Sequence, residues 1–90
     1  MVNSSINWEL RIKNRVYKEL SKLPLENRGQ ITKVIDNLPH NPFAGDIEKI
    51  EGEENMWRRR IGNYRIFYEI VPRDKIIYVF HVERRTSSTY

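Results

Sequence analysis

The sequence predicts an α+β domain in which a helical hairpin packs on one face of a mostly antiparallel four-stranded sheet. Three observations lead there: strict apolar alternation near the start of the chain, a switch to helical spacing after it, and three further alternating stretches set off by turn residues in the second half.

Ile6, Trp8, Leu10 and Ile12 alternate with Asn7, Glu9, Arg11 and Lys13, the period of a strand with one buried face. Apolar residues then recur at Val16, Leu20 and Leu23, a helical stripe with Asn14 as its N-cap and Pro24 interrupting it. Ile31, Val34, Ile35 and Leu38 predict a second helix, whose first turn is weakened by Gly29 by about 1 kcal/mol relative to alanine. Two short helices joined at Pro24 read as an αα-hairpin. Residues 39–55 hold Pro39, Pro42, Gly45 and Gly52 with little periodicity, so a long connection is expected, with a short extended piece at Ile47 to Ile50. Strands are expected over 56–61 and 64–71, joined by a tight turn at Gly62-Asn63, and over 75–82 after a turn at Pro72-Arg73-Asp74. Glu83 to Tyr90 is polar and reads as a tail. The order β-α-α-β-β-β places both helices on one side of the sheet and leaves the other face free to bind something.

Ninety residues fit one domain spanning 1–90, with no room for a second domain or a deep cofactor cleft. No apolar run approaches a bilayer span and no signal-peptide pattern opens the chain, so a soluble, cytoplasmic protein without membrane association is expected. The absence of cysteine rules out a disulfide framework, a thiolate nucleophile and a cysteine zinc site, and His40 and His81 are too few for a histidine metal centre; neither metal nor cofactor is expected. The net charge is +4, but its distribution says more. Residues 1–44 carry seven basic and four acidic side chains, residues 45–56 one and five, and residues 57–90 eight and three. The positive excess therefore gathers in the last third. It reads either as an incidentally basic strand face or as a nucleic-acid surface.

The segment Trp57-Arg58-Arg59-Arg60-Ile61-Gly62-Asn63-Tyr64-Arg65 sharpens that choice, because it sets four arginines into two consecutive predicted strands. A guanidinium is a planar fork of donors suited to phosphate oxygens. Alternation puts Arg58 and Arg60 on one face with Trp57 and Ile61 on the other, and the short turn brings Arg65 close to Arg60. The plainer alternative is that Arg58 and Arg60 are exposed strand residues that guard against aggregation. Arg59 shares the parity of Trp57 and is expected to snorkel at the sheet edge. Tyr64, Tyr68 and Tyr78 alternate with aliphatic residues and read as core rather than as base-stacking platforms. His81, among Tyr78, Val79, Phe80 and Val82, reads as a hydrogen-bonded structural histidine. Asp46, Glu48, Glu51, Glu53 and Glu54 read as a solvated acidic stretch rather than a magnesium site. Tyr90 is either a loose chain end or a hydroxyl in use.

The element order, the arginine-rich strand followed by Gly62-Asn63-Tyr64-Arg65-Ile66-Phe67-Tyr68, and the ending Glu83-Arg84-Arg85-Thr86-Ser87-Ser88-Thr89-Tyr90 resemble the RelE branch of the RelE/ParE toxin superfamily over nearly the whole chain. The resemblance implies a toxin that enters the ribosomal A site and cleaves mRNA there, and that a RelB-like antitoxin silences. It implies that Arg58 and Arg60 hold mRNA and the reacting phosphate, that Arg65 stabilises the transition state, that Arg84 or Arg85 is the arginine preceding the C-terminal segment, and that Tyr90 takes part in proton transfer. The chain departs from the family in holding Arg59 where many members are apolar, and arginine where many carry lysine. Two other readings stay open: a ParE-like inhibitor of DNA gyrase that acts by binding, and a catalytically weak homologue that only binds its antitoxin.

Overall fold

In the computed structural model, which describes residues 8–85, the chain runs β1 (Glu9–Ile12), α1 (Asn14–Ser21), α2 (Leu25–Asn37), β2 (Ile47–Lys49), β3 (Met56–Ile61), β4 (Tyr64–Val71) and β5 (Ile76–Arg84). The strands form one five-stranded sheet in the order β1-β5-β4-β3-β2. All neighbours are antiparallel except β1 and β5, where Glu9 to Ile12 run parallel to Ile76 to Val79. The α+β class and the helical hairpin agree with the sequence. The fifth strand is the difference: the extended piece inside the 39–55 connection pairs with β3 and becomes the sheet edge.

One face of the sheet is covered by the hairpin. Tyr64, Ile66, Tyr68 and Ile70 of β4 and Ile77, Val79 and Val82 of β5 are buried against Val16 and Leu20 of α1 and Ile31, Ile35 and Leu38 at α2. Burying this apolar set is the main force holding helices to sheet. Tyr78, expected in the core, is only half-buried, because it alternates with Ile77 and Val79 and lies on the uncovered face.

The helix ends depart from expectation. Asn14 is already helical and Lys13 occupies the cap position without a side-chain hydrogen bond. The second helix begins at Leu25, directly after Pro24, so Gly29 lies within it. Arg28 of α2 reaches back to the exit of α1, where Nε donates to the Leu20 carbonyl at 3.1 Å and Nη2 to those of Ser21 and Leu23 at 3.3 and 3.2 Å. The guanidinium thereby adds a donor to the Leu20 carbonyl, which also accepts the Leu23 N–H, and reaches those of Ser21 and Leu23, and its charge suits the negative end of the helix dipole.

Two further corrections concern β5. It runs through Glu83 and Arg84, where the polar composition predicts a tail. Its register against β4 also shifts: Phe67 lies opposite His81 but Tyr68 lies opposite Val79, so Phe80 is an extra residue. The bulge reverses the alternation. Ile77 and Val79 point to the helices, and after Phe80 it is Val82 that does so, leaving His81 and Glu83 on the uncovered face.

Candidate RNA-binding face

The uncovered face is where the arginines meet. Arg60 lies directly opposite Arg65 and Arg58 opposite Phe67 across β3 and β4, so Arg58, Arg60 and Arg65 share the face away from the helices. Gly62, at φ +58, makes the two-residue turn that sets this register.

The face is not a bare patch of positive charge, because each arginine has a carboxylate from a neighbouring strand or the residue leading into it. Arg58 Nε and Nη2 lie 3.2 and 3.0 Å from Glu48 Oε1. Arg60 Nε and Nη2 lie 3.1 and 3.4 Å from Asp46 Oδ2 and Oδ1. Arg65 Nη1 lies 3.2 Å from Glu83 Oε2. Two members of the acidic stretch expected to be solvated are therefore partners of the arginines, Glu48 from the edge strand and Asp46 from the residue before it.

A chain of contacts continues across β5 to α1. Glu83 Oε1 lies 3.2 Å from His81 Nε2, and His81 Nδ1 lies 2.7 Å from Glu19 Oε2. Glu19 also accepts the Val82 backbone N–H at 2.9 Å. That N–H lies past the end of β1, whose last register partner on β5 is Val79, and the carboxylate replaces the missing strand. Burial pushes the Glu19 carboxyl up, but the Val82 N–H, His81 and Arg15 together outweigh it and hold the group below its ordinary range. The expectation of a hydrogen-bonded histidine at His81 agrees with this, though the sequence showed no sign of its two carboxylate partners.

Arg59 does not lie at the sheet edge, since β2 is outside it. Its guanidinium rests against Gly45, where a Cβ would fall 2.5 Å from Arg59 Cζ, and Gly45 has φ +86. Nearby, Tyr68 is fully buried and its hydroxyl donates to the Pro42 carbonyl at 2.9 Å. Burial pushes this phenol up to about 12 despite the opposing charge of Arg59. Together these contacts fix the connection that delivers Asp46 and Glu48 to the arginine face.

Of the remaining predicted site residues, Arg84 lies opposite Tyr64 and so leaves the sheet on the helix side, not with Arg65. Arg85 follows the strand, and its N–H is bonded to the Asn63 carbonyl in the β3–β4 turn, at the end of the sheet nearest Arg60 and Arg65. Both are exposed. Tyr90 lies outside the described residues. Among the described residues no group of three or more histidine, aspartate or glutamate side chains is arranged to hold a metal ion. No helix among them is long and apolar enough to cross a membrane.

A two-helix hairpin on a five-stranded sheet with an arginine-bearing open face is an architecture this chain shares with known toxins. The family model described as the ParE toxin of type II toxin-antitoxin systems, parDE, matches residues 10–88. This chain belongs to the RelE/ParE toxin superfamily, and its relatives place it with the RelE toxins. The RelE1 protein of Methanocaldococcus jannaschii is 31% identical over 83 residues, covering 89% of this chain and 92% of the relative. Toxin RelE3 of the same organism is 35% identical over 77 residues, covering 81% and 86%. The crystal structure of the archaeal RelE-RelB complex from Pyrococcus horikoshii OT3 superposes with a TM-score of 0.79 at 27% identity, over 90% of this chain and 98% of that one.

Proposed function

We propose that this toxin is a ribosome-dependent mRNA endonuclease that cleaves in the A site and so inhibits translation. The observation that carries the reading is the convergence of Arg58, Arg60 and Arg65 on the sheet face the helices leave open. In the proposed reaction the RNA 2′-hydroxyl attacks the adjacent phosphate, its O–P bond forms as the bond to the 5′-oxygen breaks, and the products are a 2′,3′-cyclic phosphate and a 5′-hydroxyl. Such chemistry needs a positioned sugar, concentrated positive charge for the pentacoordinate transition state, and a proton acceptor; it needs no metal. Arg58 and Arg60 hold the RNA, Arg65 meets the charge that develops on the phosphate, and of Arg84 and Arg85 it is Arg85, beside the β3–β4 turn, that supplies a further cation, because Arg84 lies on the helix side. Tyr90 is the proton acceptor in this reading: a phenol has an unperturbed pKa of about 10, and guanidinium groups brought near it would lower that value. Phosphate oxygens would replace Glu48, Asp46 and Glu83 on the arginines, so the ribosome's positioning of the message is what makes the exchange favourable.

The partner in this reading is a RelB-like antitoxin, as in the Pyrococcus horikoshii complex. Tyr17 and Leu25, 56% and 76% exposed on the hairpin, give such a chain apolar footholds beside the groove lined by Ile12, Leu20, Thr32 and Ile35. The ParE description of the matching family model supports the second reading, inhibition of DNA gyrase by binding alone. In vitro translation with primer extension along the message separates them. Codon-positioned breaks support the nuclease, whereas loss of supercoiling without breaks supports gyrase inhibition.

A further inference from the structure

Arg65 is paired differently from its two neighbours on the open face. Arg58 and Arg60 each commit two guanidinium nitrogens to a carboxylate. Arg65 commits one, Nη1, and its Nε is buried with no partner among the described residues. The cause lies at Glu83, whose second oxygen is taken by His81 Nε2. One carboxylate oxygen is thus turned toward the imidazole, and the other meets the Arg65 guanidinium at Nη1 alone, not through the two parallel bonds of a fork-to-fork pair.

The other side of the imidazole explains what holds it there. His81 Nδ1 lies 2.7 Å from Glu19 Oε2, a distance that needs a hydrogen between the two atoms. A neutral imidazole carries a single N–H, so Glu19 and Glu83 are both hydrogen-bonded to the ring only when it is the imidazolium. The remaining charge against the ring is Arg15 of α1, whose Nη2 lies 3.1 Å from Nδ1 and 3.1 Å from Glu19 Oε2. Phe67 of β4 packs on the ring with centroids 5.3 Å apart and brings no charge, and Arg65 reaches it only through Glu83. Two carboxylates thus face the ring against one guanidinium.

We infer that His81 is a positioning residue, which draws Glu83 away from a two-point pair with Arg65 and leaves that guanidinium held at Nη1 alone, a single bond for an incoming phosphate to displace. When the ring loses its Nε2 proton, a lone pair faces Glu83 Oε1, the carboxylate turns both oxygens toward Arg65, and an incoming phosphate must displace a closed pair. That the phosphate is the scissile one rests on the nuclease reading above; the coupling of His81 to Arg65 does not.

Nitrogen-15 NMR of the wild-type protein tests the coupling without any variant. The Arg65 Nε–H resonance should move with the same midpoint as the His81 ring when pH is varied, and in Glu83→Gln it should cease to follow the ring. An Arg65 resonance indifferent to His81 protonation overturns the inference. In single-turnover cleavage on ribosomes, His81→Gln should slow the reaction by on the order of 10-fold in the wild-type background and by about 2-fold or less in Glu83→Gln. Equal losses in both backgrounds would mean that His81 does not act through Glu83. A wild-type protein that cuts no message while the NMR coupling holds would remove the nuclease reading and keep the His81–Arg65 link.

Discussion

Arg65 and Glu19 show how much a single side chain's role here depends on its partners. Arg65 stands at the meeting of β3 and β4 with one weak pairing, so its charge is the one most readily turned to a transition state. Arg65→Ala should lower the single-turnover cleavage rate by on the order of 100-fold while changing ribosome affinity far less, which rapid-quench and binding measurements would read separately. Glu19 makes a prediction about folding instead. Its carboxyl is held below the ordinary value in the folded state, so the unfolded chain binds the proton more readily, and the group stabilises the fold at pH values above the usual glutamate range of about 4.3. That contribution disappears as pH falls through the lowered folded value. Glu19→Gln should therefore be less stable than wild type in denaturant titrations near neutrality, and the gap should narrow in acid; a gap constant with pH would show that the hydrogen bond to Val82, not the charge, is what matters.

At the level of elements, loops and helix ends are held by contacts that cross from one element to another. The connection before β2 is tied down where the Tyr68 hydroxyl meets the Pro42 carbonyl inside the protein. Tyr68→Phe leaves that carbonyl buried without its donor, at a cost of about 1–3 kcal/mol, and calorimetry should register it. Because the same connection carries Asp46 and Glu48, the variant should also speed hydrogen exchange along β2. Helix α1 is only eight residues long, and Arg28 reinforces the bonds its own last turn makes, Lys22 N–H to the Glu19 and Leu20 carbonyls and Ser21 Oγ to that of Lys18. Arg28→Ala should unravel the last turn of α1 and destabilise the protein by about 1–2 kcal/mol, visible as a lower denaturation midpoint with an unchanged slope. Substituting lysine should recover only part, since one ammonium cannot reach three carbonyls in the geometry of the guanidinium fork.

Taken as a whole, the molecule carries net positive charge, yet its open face is close to internally balanced, with Asp46, Glu48 and Glu83 set against Arg60, Arg58 and Arg65. Any polyanion or acidic antitoxin segment must compete with these carboxylates. Exposed pairs of this kind are worth about 0.2–1 kcal/mol each, so the competition is mild and strongly screened. Asp46→Asn combined with Glu48→Gln should tighten binding of single-stranded RNA by roughly 2- to 10-fold at low salt, with the advantage vanishing at high salt. Titration calorimetry at two ionic strengths checks this, and equal affinity of wild type and double variant at low salt would mean that the carboxylates do not compete.

Local patterns determined the order of the elements other than β2, the strand bounds at 56–61 and 64–71, and the shared face of Arg58, Arg60 and Arg65, because these follow from side-chain period and, for the arginines, from a two-residue turn between adjacent strands. The reach of such patterns ended where chain segments far apart in sequence meet. β2 is three residues long and is a strand only because β3 offers it an edge, so the pairing of its acids with the arginines had no local signal. Alternation carried forward from Ile77 and Val79 would have turned His81 and Glu83 into the core. Val82 is buried in their place because the helices need an apolar contact there, and the bulge at Phe80 supplies the half-turn that grants it. A one-residue slip exchanges the two faces of a strand, and packing against α1, not the sequence of β5, decided which side His81 would take.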